Sequence, residues 1–359
     1  MIYLDYQATT PLAPEACEAM MPWLGGPESA GFANPHSPHR PGRAAAAAVE
    51  VARDQVAQLL PDGGRVIFTG SATEALNLAI FGSKPRHIAV SAIEHAAVLD
   101  TAQACGADVH ILSVGQDGIV PSATEIPSAI DLVAVMQVNN EIGTIQPVEQ
   151  IAGSAHVAGA LFLCDAVQGA GKLVPPAGAD MIALSAHKLY GPKGIGALWV
   201  RDGVELAPIM YGGGQEQGLR SGTLSPALCA GFGAAAALAK TRMKEDADHV
   251  DKLWLRARAV LSDWSLNGSP DHRWHGNLNL RREGVDVSRL MSDLRDIAFS
   301  AGSACASGSG RPSHVLRAIG LHAGQTKSSI RIGFGRYTDI RDVEDACVRI
   351  DDAVTAQGV

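Results

Sequence analysis

Leu161-Phe162-Leu163-Cys164-Asp165 and Met181-Ile182-Ala183-Leu184-Ser185-Ala186-His187-Lys188 are two short apolar runs that each break into polar residues at their C-terminal end. They read as two buried strands. In an open α/β sheet the C-terminal ends of the strands are where ligands sit. A carboxylate, Asp165, and an amine, Lys188, would then share one crevice. A pyridine-ring cofactor uses that pair: the amine bonds covalently to its aldehyde, and the carboxylate keeps its ring nitrogen protonated. The residues alone therefore point to pyridoxal phosphate.

Around this pair, helical and strand patterns alternate from about residue 43 to 200. Strands are expected at 66–69, 88–91, 109–112, 132–138, 161–165, 181–184 and 197–200. Helices are expected at 44–60, 74–81, 95–104 and 148–158. The first has Val49, Ala52, Val56, Leu59 and Leu60 on one face and is stopped by Pro61-Asp62-Gly63-Gly64. Such alternation predicts an α/β fold with a mostly parallel sheet covered on both faces. A charged stretch at 240–248 marks a change of rhythm and an expected lead into a second, smaller domain. Beyond it lie a helix near 249–263, an extended piece at 276–280 and a helix near 287–294. A last helix is expected with Thr338 as its N-cap. Its apolar face is Val343, Ala346, Cys347, Ile350 and Val354, which makes Cys347 a core residue.

At 359 residues the chain has room for about two domains. With 29 basic and 37 acidic residues the net charge is −8, which argues against a nucleic-acid surface. The start, Met1-Ile2-Tyr3-Leu4-Asp5, has neither a basic nor an apolar leader region, so a cytoplasmic protein with no membrane span is expected. None of the six cysteines (Cys17, Cys105, Cys164, Cys229, Cys305, Cys347) forms a C-x-x-C pair, and most are expected to be buried. His36-x-x-His39 and His272-x-x-His275 lack the further ligands a metal site needs.

Three more motifs carry chemistry. Phe68-Thr69-Gly70-Ser71-Ala72-Thr73-Glu74 is a strand-to-helix turn of small residues, suited to a phosphate at a helix start or, equally, to an ordinary capped turn. Gln168, three residues after Asp165, is placed to reach the ring's phenolic oxygen, and Ser185 and His187 to donate to the phosphate. Residues 300–310 contain only Ser, Gly, Ala and Cys305. A mobile loop is expected there, with a thiol more exposed than the other five; thiols are intrinsically nucleophilic. His95, after Glu94 at a strand end, is a weaker candidate for the crevice. Arg331 suits bidentate capture of a carboxylate. Residues 212–223 form a glycine-rich loop able to meet an anion or a partner subunit.

The ordered set of motifs resembles the cysteine desulfurases of the class V aminotransferase superfamily, in the NifS/IscS-like group. The resemblance runs from 3–11 through 70–74, Glu94-His95, 138–143, 165–168, 185–194 and 220–223 to 303–305 and 328–331. It implies an aspartate aminotransferase-like, fold type I architecture: a large cofactor domain at 13–243, and a small α+β domain made of 1–12 and 244–359 that carries the cysteine loop at about 300–311. It implies pyridoxal phosphate on Lys188, with Asp165, Gln168 and His95 at the ring. It assigns Ala72, Thr73, Ser185 and His187 to the phosphate, together with Thr223 from the other subunit of a homodimer. Asn140 and Arg331, and more weakly Asn34, orient L-cysteine. Cys305 takes the sulfur as a persulfide, releases alanine and passes sulfur to an acceptor protein for iron–sulfur cluster assembly or tRNA thiolation. Rival readings are a selenocysteine lyase, an aminotransferase of the same scaffold, or a non-catalytic sulfur-handling partner. An aminotransferase has no use for Cys305, and a non-catalytic partner has none for Lys188, Asp165 and His95. After Cys305 the family pattern is richer in polar or acidic residues than Ser307-Gly308-Ser309-Gly310.

Overall fold

The structure, a computed structural model, describes residues 1–302 and 313–359. The expected cysteine loop, with Cys305, therefore lies outside the described residues from 303 to 312.

Seven strands form the central sheet, in the spatial order Gly64–Thr69, Gly196–Arg201, Met181–Ser185, Leu161–Asp165, Leu132–Ala134, His87–Ser91, Asp108–Leu112. Every neighbouring pair is parallel except the two made by Gly196–Arg201, which is antiparallel to both its neighbours. Two reversals cancel, so Gly64–Thr69 ends at the same edge as Leu161–Asp165 and Met181–Ser185. All five residues of Met181–Ser185 are buried, as a strand covered on both faces requires. Phe162, Cys164, Ile182 and Leu184 point into one core, with Arg40–Ala57, Val148–Val157 and the start of Pro226–Val260. Leu163, Met181 and Ala183 point into the other, with Ala72–Ser83 and Ala96–Ala104. A third core gathers Leu4, Leu253, Leu278, Ile332 and Ile350 around a four-stranded antiparallel sheet, Ser300–Ala301, Ser329–Gly333, Asn277–Arg281, Ser265–Leu266.

Several boundaries differ from the sequence expectation. Regular pairing of the expected 132–138 strand ends at Ala134, because the Glu94 carboxyl takes the Met136 amide at 2.8 Å. Gln137 N still donates to Asp165 O at 2.9 Å. The charged stretch at 240–248 does not interrupt the chain. It lies inside one helix of 35 residues, Pro226–Val260, supported by Arg242–Glu245 and Lys244–Asp248 pairs one turn apart. That helix buries Phe232 and Ala236 in one core and Leu253 and Ala257 in another. The first long helix starts at Arg40 rather than 44, with the His39 ring accepting from the Gly42 amide. The last, Ile340–Thr355, is capped by Asp339 and not Thr338, whose hydroxyl accepts from Gly335 N instead. Cys164, Cys229 and Cys347 are buried, but Cys17 is exposed on Pro14–Met20, a helix that buries only Ala16. Among the described residues no helix is long and apolar enough to cross a membrane.

Candidate active site

The strand ends open into a cleft of about 700 Å³ whose wall includes Ala72, Thr73, His95, Asn140, Asp165, Gln168, Ser185, His187, Lys188 and Arg331. The chain's first residues form part of that wall. Thr10 N and Oγ1 both donate to His187 O, at 2.9 and 3.0 Å, and Thr10 Oγ1 accepts from Tyr190 N at 2.8 Å. This pins residues 7 and 8 beneath the lysine. Lys188 Nζ donates to Gln7 O at 2.5 Å and to Ala8 O at 2.8 Å. Burial, and after it the Arg331 guanidinium, bring the Lys188 amine down to about 8 against the opposing pull of Asp5 and Asp165. A lysine so placed reaches its reactive, unprotonated form near neutral pH.

Asp165 closes the strand Leu161–Asp165 and is buried, with Oδ1 accepting from Val167 N at 2.9 Å. Burial pushes its carboxyl up, while the Val167 amide and the nearby His95 and Lys188 pull it down. Behind it, burial pushes the Glu94 carboxyl up to about 8. Gln168 donates through Nε2 to Gln7 O at 3.0 Å. His95 caps Ala96–Ala104, its Nδ1 accepting from Ala97 N at 3.0 Å. That bond leaves Nε2 as the protonated nitrogen of the neutral ring.

At the far end of the cleft, Ser71 caps Ala72–Ser83 and accepts from Glu74 N. The first-turn amides at Ala72 and Thr73 have no partner within their own helix, and both residues line the cleft. Gly196 lets the neighbouring strand lie flush against this turn, since a Cβ there would fall 2.5 Å from the Ser71 carbonyl carbon. Burial and the charges of Lys188 and Lys193 lower the His187 imidazole to about 4, so the ring is neutral at pH 7. Its Nδ1 lies 3.1 Å from Thr9 Oγ1. Arg331 is buried, donating to Asn140 O at 3.0 Å and to Asp5 Oδ1 at 2.8 Å.

This donor set fits pyridoxal phosphate. A helix start suits the phosphate, an amine of lowered pKa suits the aldehyde, and a protonated ring nitrogen supplies the counter-charge that buried Asp165 lacks. The model for aminotransferase class-V matches residues 2–345.

The chain belongs to the aminotransferase class-V family.

As a class-V member it is a pyridoxal-phosphate enzyme. It is 42% identical to cysteine desulfurase IscS of Rickettsia akari (strain Hartford), over 98% of this chain and 91% of that protein. It is also 42% identical to cysteine desulfurase IscS of Shewanella piezotolerans, over 98% and 92%. Among solved structures, a NifS-like protein superposes with TM-score 0.90 at 30% identity, covering 99% of each chain. SspA in complex with cysteine superposes with TM-score 0.81 at 34% identity, covering 94% of this chain and 100% of that one.

Not every expected site residue meets in the class-V cleft. Thr223 is exposed and does not line the cleft of its own chain, and Cys305 lies outside the described residues. Asn34 is exposed, and its side chain accepts from His36 N at 2.8 Å instead of lining the cleft. Sequence reading gave no role to Asp5, Gln7 and Ala8, two of which act through backbone carbonyls. Their only signal was that 3–11 belonged to the family-like motif set. Met136, Ser288 and Met291, which complete part of the wall, carried no signal at all.

Proposed function

We propose that this chain is a cytoplasmic, homodimeric cysteine desulfurase that removes sulfur from L-cysteine, gives L-alanine and leaves a persulfide on Cys305 for an acceptor protein. The carrying observation is that Lys188, Asp165 and Arg331 share one cleft wall. The names of the relatives and the cysteine held by SspA support the same substrate.

Lys188 holds the cofactor, Asp165, Gln168 and His95 hold its ring, and Ala72, Thr73, Ser185 and His187 receive its phosphate, with Thr223 of a second copy. When bound, pyridoxal phosphate supplies an electron sink for the substrate's α-carbon. Arg331 and Asn140 orient the substrate carboxylate, a bidentate task suited to a guanidinium. The Lys188 amine, at about 8, takes and returns the α-proton. His95, whose Nδ1 is occupied by the Ala97 amide, presents Nε2 as the second proton-carrying group of the cleft wall. The Cys305 thiolate attacks the substrate sulfur: an S–S bond forms, the carbon–sulfur bond breaks, and alanine leaves. The sulfur then serves iron–sulfur cluster assembly or tRNA thiolation. The chain divides into a cofactor domain at 13–243 and a smaller one of 1–12 with 244–359, joined by the long helix that serves both cores.

The test is to feed the cofactor-loaded protein L-cysteine, measure alanine and locate added sulfur by peptide mass. Alanine with sulfur on the Cys305 peptide is expected, and Cys305→Ala abolishes the persulfide while keeping the cofactor's colour. No alanine, or sulfur on another cysteine, would overturn the reading.

A further inference from the structure

Lys172 lies four residues after Gln168, on the turn that follows Asp165. Its Nζ donates to Gln168 Oε1 at 3.4 Å. The other end of the same amide, Nε2, donates to Gln7 O, the carbonyl that also accepts from Lys188 Nζ. The ammonium of Lys172, the amide of Gln168, the carbonyl of Gln7 and the amine of Lys188 thus form one line. The two ends of the amide are not interchangeable within it. A reversed amide would turn its N–H groups toward an ammonium and its oxygen toward a carbonyl. In the observed orientation one N–H of Nε2 is committed to Gln7, and the second is left for an acceptor in the cleft that Gln168 lines.

Lys172 does not line that cleft. It lines a separate small pocket with Tyr6, Gln7, Tyr190 and Asp246. Tyr6, Tyr190, Asp246 and Lys188 are the titratable groups around it. Burial and the charge of Lys188 bring the Lys172 amine down to about 7. A neutral amine still carries two N–H groups, so the contact with Gln168 survives on both sides of that value.

Resting on the function proposed above, we propose that Lys172 is a positioning residue that acts on the cofactor site through Gln168, by holding Oε1 and so keeping the donor end of the amide toward the cleft. A donor held there favours the deprotonated form of the bound cofactor's phenolic oxygen. Losing it moves the pH midpoint of the cofactor's visible absorbance upward.

The experiment is a double-mutant cycle on the cofactor-loaded protein, read by that midpoint. Lys172→Met is expected to raise it by about half a unit to one unit. Gln168→Ala raises it as well, and the double variant goes no further than Gln168→Ala alone. Lys172→Arg, which keeps a donor, stays near the wild-type midpoint. Lys172→Ala repeats the comparison if Lys172→Met yields no loaded protein. An unmoved midpoint in Lys172→Met, or a full additional shift on top of Gln168→Ala, would overturn the inference, the latter because Lys172 would then act by its own charge. A wild-type protein with no visible cofactor band would instead defeat the reading of the site. A normal wild-type band with no effect of Lys172 defeats only this proposal.

Discussion

Arg331 donates to the Asp5 carboxylate at 2.8 Å, tying the strand Ser329–Gly333 to the N-terminal segment within the wall that also holds Lys188. The pair sets opposing influences on the lysine: Arg331 lowers its pKa, and Asp5 raises it. Arg331→Met should therefore move the Lys188 amine upward from about 8, and Asp5→Asn should move it down. The pH dependence of cofactor uptake by the apo-protein reads both. Arg331→Met should also raise the KM for cysteine by about ten- to a hundredfold, the worth of a charged hydrogen bond. Equal pH profiles for the two variants would contradict the coupling.

Asp165 is buried with a single backbone amide on one oxygen, and burial pushes its carboxyl up. An isosteric Asn keeps the shape and removes the charge. Asp165→Asn should leave the apo-protein at least as stable as the wild type, because a buried charge is costly without a full set of partners. The loaded enzyme should lose about a hundredfold or more in kcat, as when a charge-stabilising group is removed. Thermal denaturation of the apo-protein and alanine release from the loaded one measure the two effects. A destabilised apo-protein would mean that Asp165 is chiefly structural.

Glu94 makes stability depend on pH. Burial raises its carboxyl from 4.5 to about 8, against the Ser91 hydroxyl and the Met136 amide. Between those values the folded chain keeps a proton that the unfolded chain has lost. Stability therefore falls as pH rises through this window, by up to about 1.4 kcal/mol per pH unit. Below it both states are protonated, and the Glu94 term is flat. Glu94→Gln removes the slope while keeping the hydrogen-bonding shape. Urea denaturation of wild type and variant at about pH 5 and about pH 8 should show the variant gaining relative stability at the higher pH. A constant difference between the two proteins would refute the assignment.

The sequence announced some of these parts more clearly than others. Asp165 and Lys188 stood out because Asp165 ends one apolar run and Lys188 follows another within four residues, where an unpaired polar group is too costly to be idle. The turn at 70–74 stood out through its small residues. The lysine's partners did not, because Gln7 and Ala8 contribute backbone carbonyls that every residue type possesses. Glu94 was read only as the neighbour of His95, yet its carboxyl takes the Met136 amide and helps end a strand expected to run four residues longer. The charged stretch at 240–248 looked like a boundary because charge runs usually face solvent. At helical spacing the same charges pair along one continuous helix. Asn34 was expected near the substrate, and local geometry uses it to satisfy the His36 amide instead.

Thr223 gives the last test, because an exposed threonine outside its own cleft can serve the phosphate only from a second copy. Thr223→Asp places a negative charge against that phosphate and should block activity, and Lys188→Ala should do so by removing the anchor. Neither variant is active alone if this is right. In a mixed dimer, one cleft combines an intact Lys188 with the partner's intact Thr223, while the other cleft carries both lesions. Random reassortment of equal amounts makes half the dimers mixed, each with one sound cleft, so about a quarter of wild-type activity should return. Refolding or subunit exchange followed by alanine release measures it. No recovery, with exchange verified by mass, would place Thr223 outside the shared site and remove the main reason for a dimeric active site.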